Sequence, residues 1–391
     1  MADEHIGARV RVWRRRRGLS QAILAGLAGL SQGYISQIEA GIRGVERRST
    51  LVAIAAALDV SVADLLGLSS DPTDPVRVRA SEAVAAIRLA IVQLEAGEID
   101  EPKRGPEELD AAIEQMIQLR QASDHLALAP LLPGLLRDAA GDRHALIRVA
   151  YTASACLRAL GYRDLARPAA KIAVDTAQAV GDPAWCGAAD FGYVLALPVE
   201  AAFVANKVSE RSLISLQHAA ADLGARQMLG QIHLSAALAN AVGQKPDVAK
   251  AHLDEAEREA TSLGEPADGL GFNQCFFGPR NVHLWKMSIS TELGEYDRVI
   301  KMAEGMKVDG IPVANRRQSY FLDLGRSLAH SGKRDKEALV ALARAERAAP
   351  APFRLNPITR DVVSTMITRA QRRAVAEDLA SMASRLGIGP T

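Results

Sequence analysis

Cysteine is scarce in this chain, with three among 391 residues, Cys156, Cys186 and Cys275. An odd number at wide spacing suits neither a disulfide framework nor a zinc site, and a reducing cytoplasm is the simplest setting. Long apolar runs are also missing. The richest, residues 126–136, is interrupted by Pro130 and Pro133, so no segment is expected to cross a membrane. Acids and arginines at the N-terminus leave no signal-peptide core. There is no Walker loop, dinucleotide fingerprint, zinc-binding HExxH or serine elbow, and the pair Gly269 and Gly271 is too short to count. The eight histidines are scattered. Neither an enzyme nor a cofactor or metal is therefore expected.

Net charge is nearly absent too, with 47 basic against 46 acidic side chains, but its distribution is uneven. Residues 1–67 carry nine arginines against six acids, while the remainder is slightly acidic. The basic excess sits on one small N-terminal segment, as expected where a polyanion is bound, and the rest does not read as a nucleic-acid surface.

What that segment contains is a pair of short helices. Ser20 can cap a helix that begins at Gln21, and Leu24, Ala25 and Ala28 repeat at helical spacing. Gly29 stands where the chain must turn sharply, Leu30 plugs the turn, and Ser31 caps a second helix. Tyr34, Ile35 and Ile38 form its inward stripe, which leaves Gln32, Gly33, Ser36 and Gln37 facing out. Two helices joined by such a turn place the second where its first residues enter a major groove. Gln32 is the best base reader, because an amide can pair bidentately with adenine. Gln21, Tyr34 and Arg43 are suited to phosphates, as are Arg14 and Arg17 from the run of four arginines closing the first helix.

A helix over 6–17 and two more from Leu51 to Leu66 complete a five-helix domain. The whole stretch resembles the Cro and phage-repressor type of helix-turn-helix, the XRE family, through Leu19-Ser20-Gln21, Leu24-Ala25, Gly29, Tyr34-Ile35-Ser36, Ile38-Glu39, Gly41 and Ala56 to Leu58. It departs from that family in lacking a proline before the fourth helix and in placing Gly26 inside the second. The resemblance implies a transcription regulator that binds a double-stranded DNA operator.

Beyond residue 68 the reading is an all-α body. Residues 69–76 are a polar, proline-containing linker, 77–106 a connecting helix and loop, and 107–391 a long array rich in alanine and leucine. Turns at Gly161, Gly243, Gly294 and Gly332 each put an acid near the start of the next helix, where the helix dipole favours it. They resemble corners of tetratricopeptide repeats, Leu293-Gly-Glu-Tyr-Asp297 most of all, but their spacing of 82, 51 and 38 residues makes the array degenerate against a repeat of about 34. A further turn near Asn206 would divide the widest gap.

In such a stack the first helix of each hairpin lines a groove. Counting back from the turn glycines exposes Arg326 with Ser319 and Leu322, His233 and Asn240, and Tyr151 with Arg148 and Arg158. Before Gly294 the register allows either Asn281 or the pair Arg280 and His283. Phe276, Phe277 and Trp285 fall in the same stretch and would supply the apolar area of a ligand site. A helix-turn-helix head on this body is similar to the peptide-pheromone receptors of bacteria, which implies roles for Asn240, Asn281 and Arg326 in holding an effector. A peptide, a small molecule and a protein partner all remain open. The function expected is a homodimeric, effector-controlled regulator; the alternative is an interaction scaffold localised by its DNA-binding head.

Overall fold

Alanine and leucine at helical spacing, with few β-branched runs, favour helices throughout. The computed structural model describes residues 5–67, 75–371 and 377–388, and no strand occurs among them. The protein is all-α. The helix-turn-helix segment supplies α1 (Ile6–Arg16), α2 (Gln21–Ala28), α3 (Gln32–Glu39), α4 (Arg48–Leu58) and α5 (Val62–Leu66).

The described residues fall into two compact units. The first is drawn from 1–74, 287–308 and 318–391, the second from 75–286 and 309–317. Residues 69–74 of the expected linker lie outside the described residues.

In the first unit, α1 to α5 close on Ile6, Val10, Leu24, Ile35, Ile38, Leu51, Ile54, Leu58 and Leu65, all buried. Gly7 makes the closest approach: a β-carbon there would collide with the Ile38 carbonyl, so α1 meets the end of α3 only because the position is bare. C-terminal helices of the same unit are tied to these five by buried carboxylates. Asp361, from Pro357–Gln371, accepts from the Ile6 amide at 3.0 Å and the Val45 amide at 2.7 Å. Glu292 accepts from the Arg48 amide at 2.8 Å.

The second unit is a run of antiparallel helical pairs. Arg143–Ala159 packs on Arg163–Val180, and Leu223–Val242 on both Pro246–Leu263 and Pro183–Ala196. The apolar run with its two prolines becomes core, its Leu128, Leu132, Leu135 and Leu136 fully buried. Gly161, Gly243, Gly294 and Gly332 all lie between consecutive helices. The turn near Asn206 does not form: Asn206 is inside Ala202–His218, and the chain turns at 197–201, where Pro198 cannot continue the preceding helix.

Candidate nucleic-acid interface

The α2–α3 pair is built by its caps. The Ser20 hydroxyl accepts from the Ile23 amide at 3.1 Å and the Ser31 hydroxyl from the Tyr34 amide at 3.2 Å, satisfying donors that open each helix. Between them Gly29 ends α2 at φ 65°, a left-handed conformation that glycine adopts without steric cost. The turn thereby aims the first residues of α3 outward. Ser31, Gln32, Gly33 and Gln37 are exposed, and Ser36 is partly so.

Gln32 is held from behind by a chain of polar contacts. Its amide donates to Gln21 Oε1 at 3.2 Å, and the Gln21 amide donates to Glu39 Oε2 at 2.9 Å. Arg14 completes the chain with a two-pronged pair to Glu39, Nε to Oε1 at 2.5 Å and Nη2 to Oε2 at 2.8 Å. Burial works to raise the Glu39 carboxyl, but bonds from Arg14 and Gln21 bring it below the usual carboxylate range. The Gln32 amide at the start of α3 is thus positioned by residues of α1, α2 and the end of α3 itself. Glu39 and Arg14 in this role were not legible in the sequence, because a 25-residue separation carries no local signal.

The structure separates the arginines of the first helix into two groups. Arg14 is bound to Glu39, and Arg17 donates to the carbonyls of Leu58 at 3.0 Å and Asp59 at 2.8 Å, closing the end of α4. Arg9 does the same for α5 through Leu65 and Leu66. Arg11, Arg15 and Arg16 are exposed, Arg16 lying 5.2 Å from the centre of the Trp13 ring. Arg43 is also held internally: its guanidinium lies 4.8 Å from the centre of the Tyr34 ring and its Nη2 is 2.9 Å from His330 Nε2. Tyr34 is half-buried beneath it, and burial raises its phenol. The outward positive charge nearest the sequence run is therefore Arg15 and Arg16, with Arg14, Arg17 and Arg43 committed to the protein.

The family described as a helix-turn-helix domain matches residues 5–67. The chain carries a helix-turn-helix domain. That is the architecture of a DNA-binding regulator, and the match spans the five helices whose caps and turn are described above. No curated protein and no solved structure matches the chain.

The residues expected to line a ligand groove are distributed as follows. Tyr151, His233, Asn240, Phe276, Phe277, Arg280, Asn281, His283 and Trp285 belong to the second unit, while Arg326 belongs to the first. Arg326 is buried and paired with Glu292 at 3.2 Å and Asp323 at 3.1 Å, and also donates to the Glu46 carbonyl. Its charge is fully used there.

In the second unit, Asn240 exchanges amide bonds with Asn206 at 3.0 and 3.2 Å, and His233 Nδ1 meets His252 Nδ1 at 3.0 Å. Burial pushes His233 down to about 4, so that pair is neutral near pH 7. Phe276 and Phe277 are fully buried, and Gly230 leaves the space that the Phe277 ring fills. Arg280 pairs with Glu265 at 3.3 Å, beside Phe276. His283 is partly exposed. Tyr151, Asn281 and Trp285 remain, and they share a neighbourhood with two arginines that counting from the turns did not reach, Arg120 and Arg316. No helix among the described residues is long and apolar enough to cross a membrane.

Proposed function

We propose that the protein is a sequence-specific transcription regulator in which α3 enters the major groove of an operator and Gln32 reads a base. The observation that carries this reading is the Arg14–Glu39–Gln21–Gln32 chain. It fixes an exposed amide at the N-terminal end of α3, so little side-chain freedom remains to be lost on binding. Arg15 and Arg16 are the nearest outward cations for backbone phosphates.

A module of this size buries limited surface on DNA, so the working form is a homodimer on two half-sites about one helical turn apart. The remaining helices, read as a degenerate tetratricopeptide-like array, sense an effector in the cytoplasm. Control is a shift of population between two placements of the paired heads, needing a differential affinity of a few kcal/mol. Footprinting with a salt titration tests the reading. Protection of a defined site should weaken with salt, and Gln32→Ala should relax preference at one base step by about 1–3 kcal/mol. Binding without sequence preference or salt dependence would exclude it.

A further inference from the structure

Two guanidinium groups of the second unit are largely shielded from solvent and have no carboxylate beside them among the described residues. Arg120, at the end of Pro106–Gln121, rests over the Tyr151 ring at 5.1 Å. Among the described residues it donates only to neutral oxygens, the Asn273 carbonyl at 3.1 Å, Asn273 Oδ1 at 3.3 Å and Gln274 Oε1 at 2.9 Å. Arg316 lies over the Trp285 indole at 5.2 Å and has no hydrogen-bond acceptor or ion-pair partner among the described residues.

Burial pushes Arg316 down to about 10 and lowers Arg120 as well, with Tyr151 favouring the charged form of both. The same two cations pull down the thiol of Cys275, which burial raises to about 11. Their fields therefore converge around Tyr151 and Cys275. Arginines shielded this far normally have an anion, because desolvating a charge without one is costly.

The surroundings are shaped to hold this arrangement. The loop around Arg120 keeps Asn273, Gln274 and Phe276 in the left-handed region, at φ 43°, 58° and 55°, where residues other than glycine are strained. Gly192 makes room for Tyr151, since a β-carbon there would stand 2.8 Å from the ring. Trp285 Nε1, Gln231 Nε2 and Asn281 Oδ1 are buried without a partner among the described residues. Asn281 links them to the loop, donating to Gln231 at 2.9 Å and the Cys275 carbonyl at 3.4 Å. Orphaned polar atoms call for an explanation, and a bound polar group is one. Arg120, Tyr151 and Arg316 each keep partial exposure, so solvent reaches them.

We propose that this cluster of side chains binds an organic anion, a carboxylate or phosphate carried on an apolar or aromatic body, with Arg120 and Arg316 on the charged group and Tyr151 and Trp285 against the body. The planar donor fork of arginine fits either oxyanion through paired hydrogen bonds. The proposal gives the effector of the regulator reading a chemical class, and rests on that reading for its regulatory consequence.

Thermal unfolding of the full chain with inorganic phosphate, benzoate, phenyl phosphate or neutral benzamide tests the site, alongside Arg316→Met. Arg316 makes no side-chain hydrogen bond among the described residues, so the variant is expected to fold with a melting temperature no lower than that of the wild type in chloride buffer. At ten times its Kd, a bound anion should raise the wild-type melting temperature by about 3 °C, with little effect on Arg316→Met. With the anions compared at one equal concentration, a larger shift with benzoate than with phenyl phosphate assigns a carboxylate, and the reverse assigns a phosphate.

Equal shifts in wild type and variant for all three anions overturn the proposal, as does an equal response to benzamide. Destabilisation of Arg316→Met by several degrees in chloride would mark Arg316 as structural and would also overturn it. Operator footprinting on the same samples keeps the two readings apart. Lost footprinting with intact anion shifts removes the regulator and leaves the site, and the opposite pattern removes the site alone.

Discussion

Replacing Glu39 by glutamine should loosen the helix-turn-helix domain while leaving its outward charges untouched. Glu39 is 6% exposed and takes both prongs of Arg14, at 2.5 and 2.8 Å, together with the Gln21 amide at 2.9 Å. Glutamine keeps one acceptor oxygen but turns a donor toward a guanidinium donor, leaving the largely buried Arg14 charge uncompensated. Breaking a buried pair from one side costs about 3 kcal/mol, at the low end for such changes. That corresponds to roughly a hundredfold loss of protection at about 1.4 kcal/mol per decade.

Hydrogen exchange followed by mass spectrometry on peptides from residues 5–67 of the full chain reads this directly. The pH sign is fixed as well. Because the folded carboxyl lies below its ordinary value, its stabilisation is present above that ordinary value and is lost as pH falls through the folded one. In a parallel salt titration, Arg14→Met should leave the slope of operator affinity unchanged, whereas removing a phosphate contact would reduce it by about 0.9. Unchanged protection in Glu39→Gln together with a shallower salt slope in Arg14→Met would refute the reasoning and return Arg14 to the DNA.

Asp361 should produce the opposite pH trend. Burial pushes it up to about 6, so between roughly pH 4 and 6 the folded chain holds a proton that the unfolded chain releases, and stability falls as pH rises across that window by up to about 3 kcal/mol. Urea unfolding of wild type against Asp361→Asn from pH 4 to 7 isolates that slope, which the variant should lack. Gly26→Ala should stabilise α2 by about 0.5–1 kcal/mol, because an added β-carbon meets nothing within 4 Å; slower exchange of the α2 amides is the readout. Gly230→Ala should destabilise the second unit by about 1–3 kcal/mol, since the new methyl group collides with the buried Phe277 ring, and denaturant unfolding of the full chain would show it.

The local features were legible because they depend on neighbours in sequence. Ser20 and Ser31 cap the helices they precede, Gly29 makes the left-handed turn, and the glycines at 161, 243, 294 and 332 lie between helices. The turn expected near Asn206 was misplaced because Pro198, a few residues earlier, is the stronger interruption. Exposure of Gln32 followed from helical spacing alone, and so did the inward stripe of Ile35 and Ile38.

The sequence by itself determined an all-α chain with a helix-turn-helix at residues 5–67, since caps, turns and periodicity act within a few residues. Only the tertiary structure decided what each charge faces. Nothing in the run of arginines at 14–17 distinguishes Arg14, bound to Glu39, from Arg15, which points to solvent. Asp323, one helical turn before Arg326, is a partner the sequence can show, but nothing near Arg326 announces Glu292, and nothing near Arg120 or Arg316 announces that they have no carboxylate partner among the described residues. A charge buried by distant parts of the chain is either paired or left open to a ligand, and that choice is settled by packing.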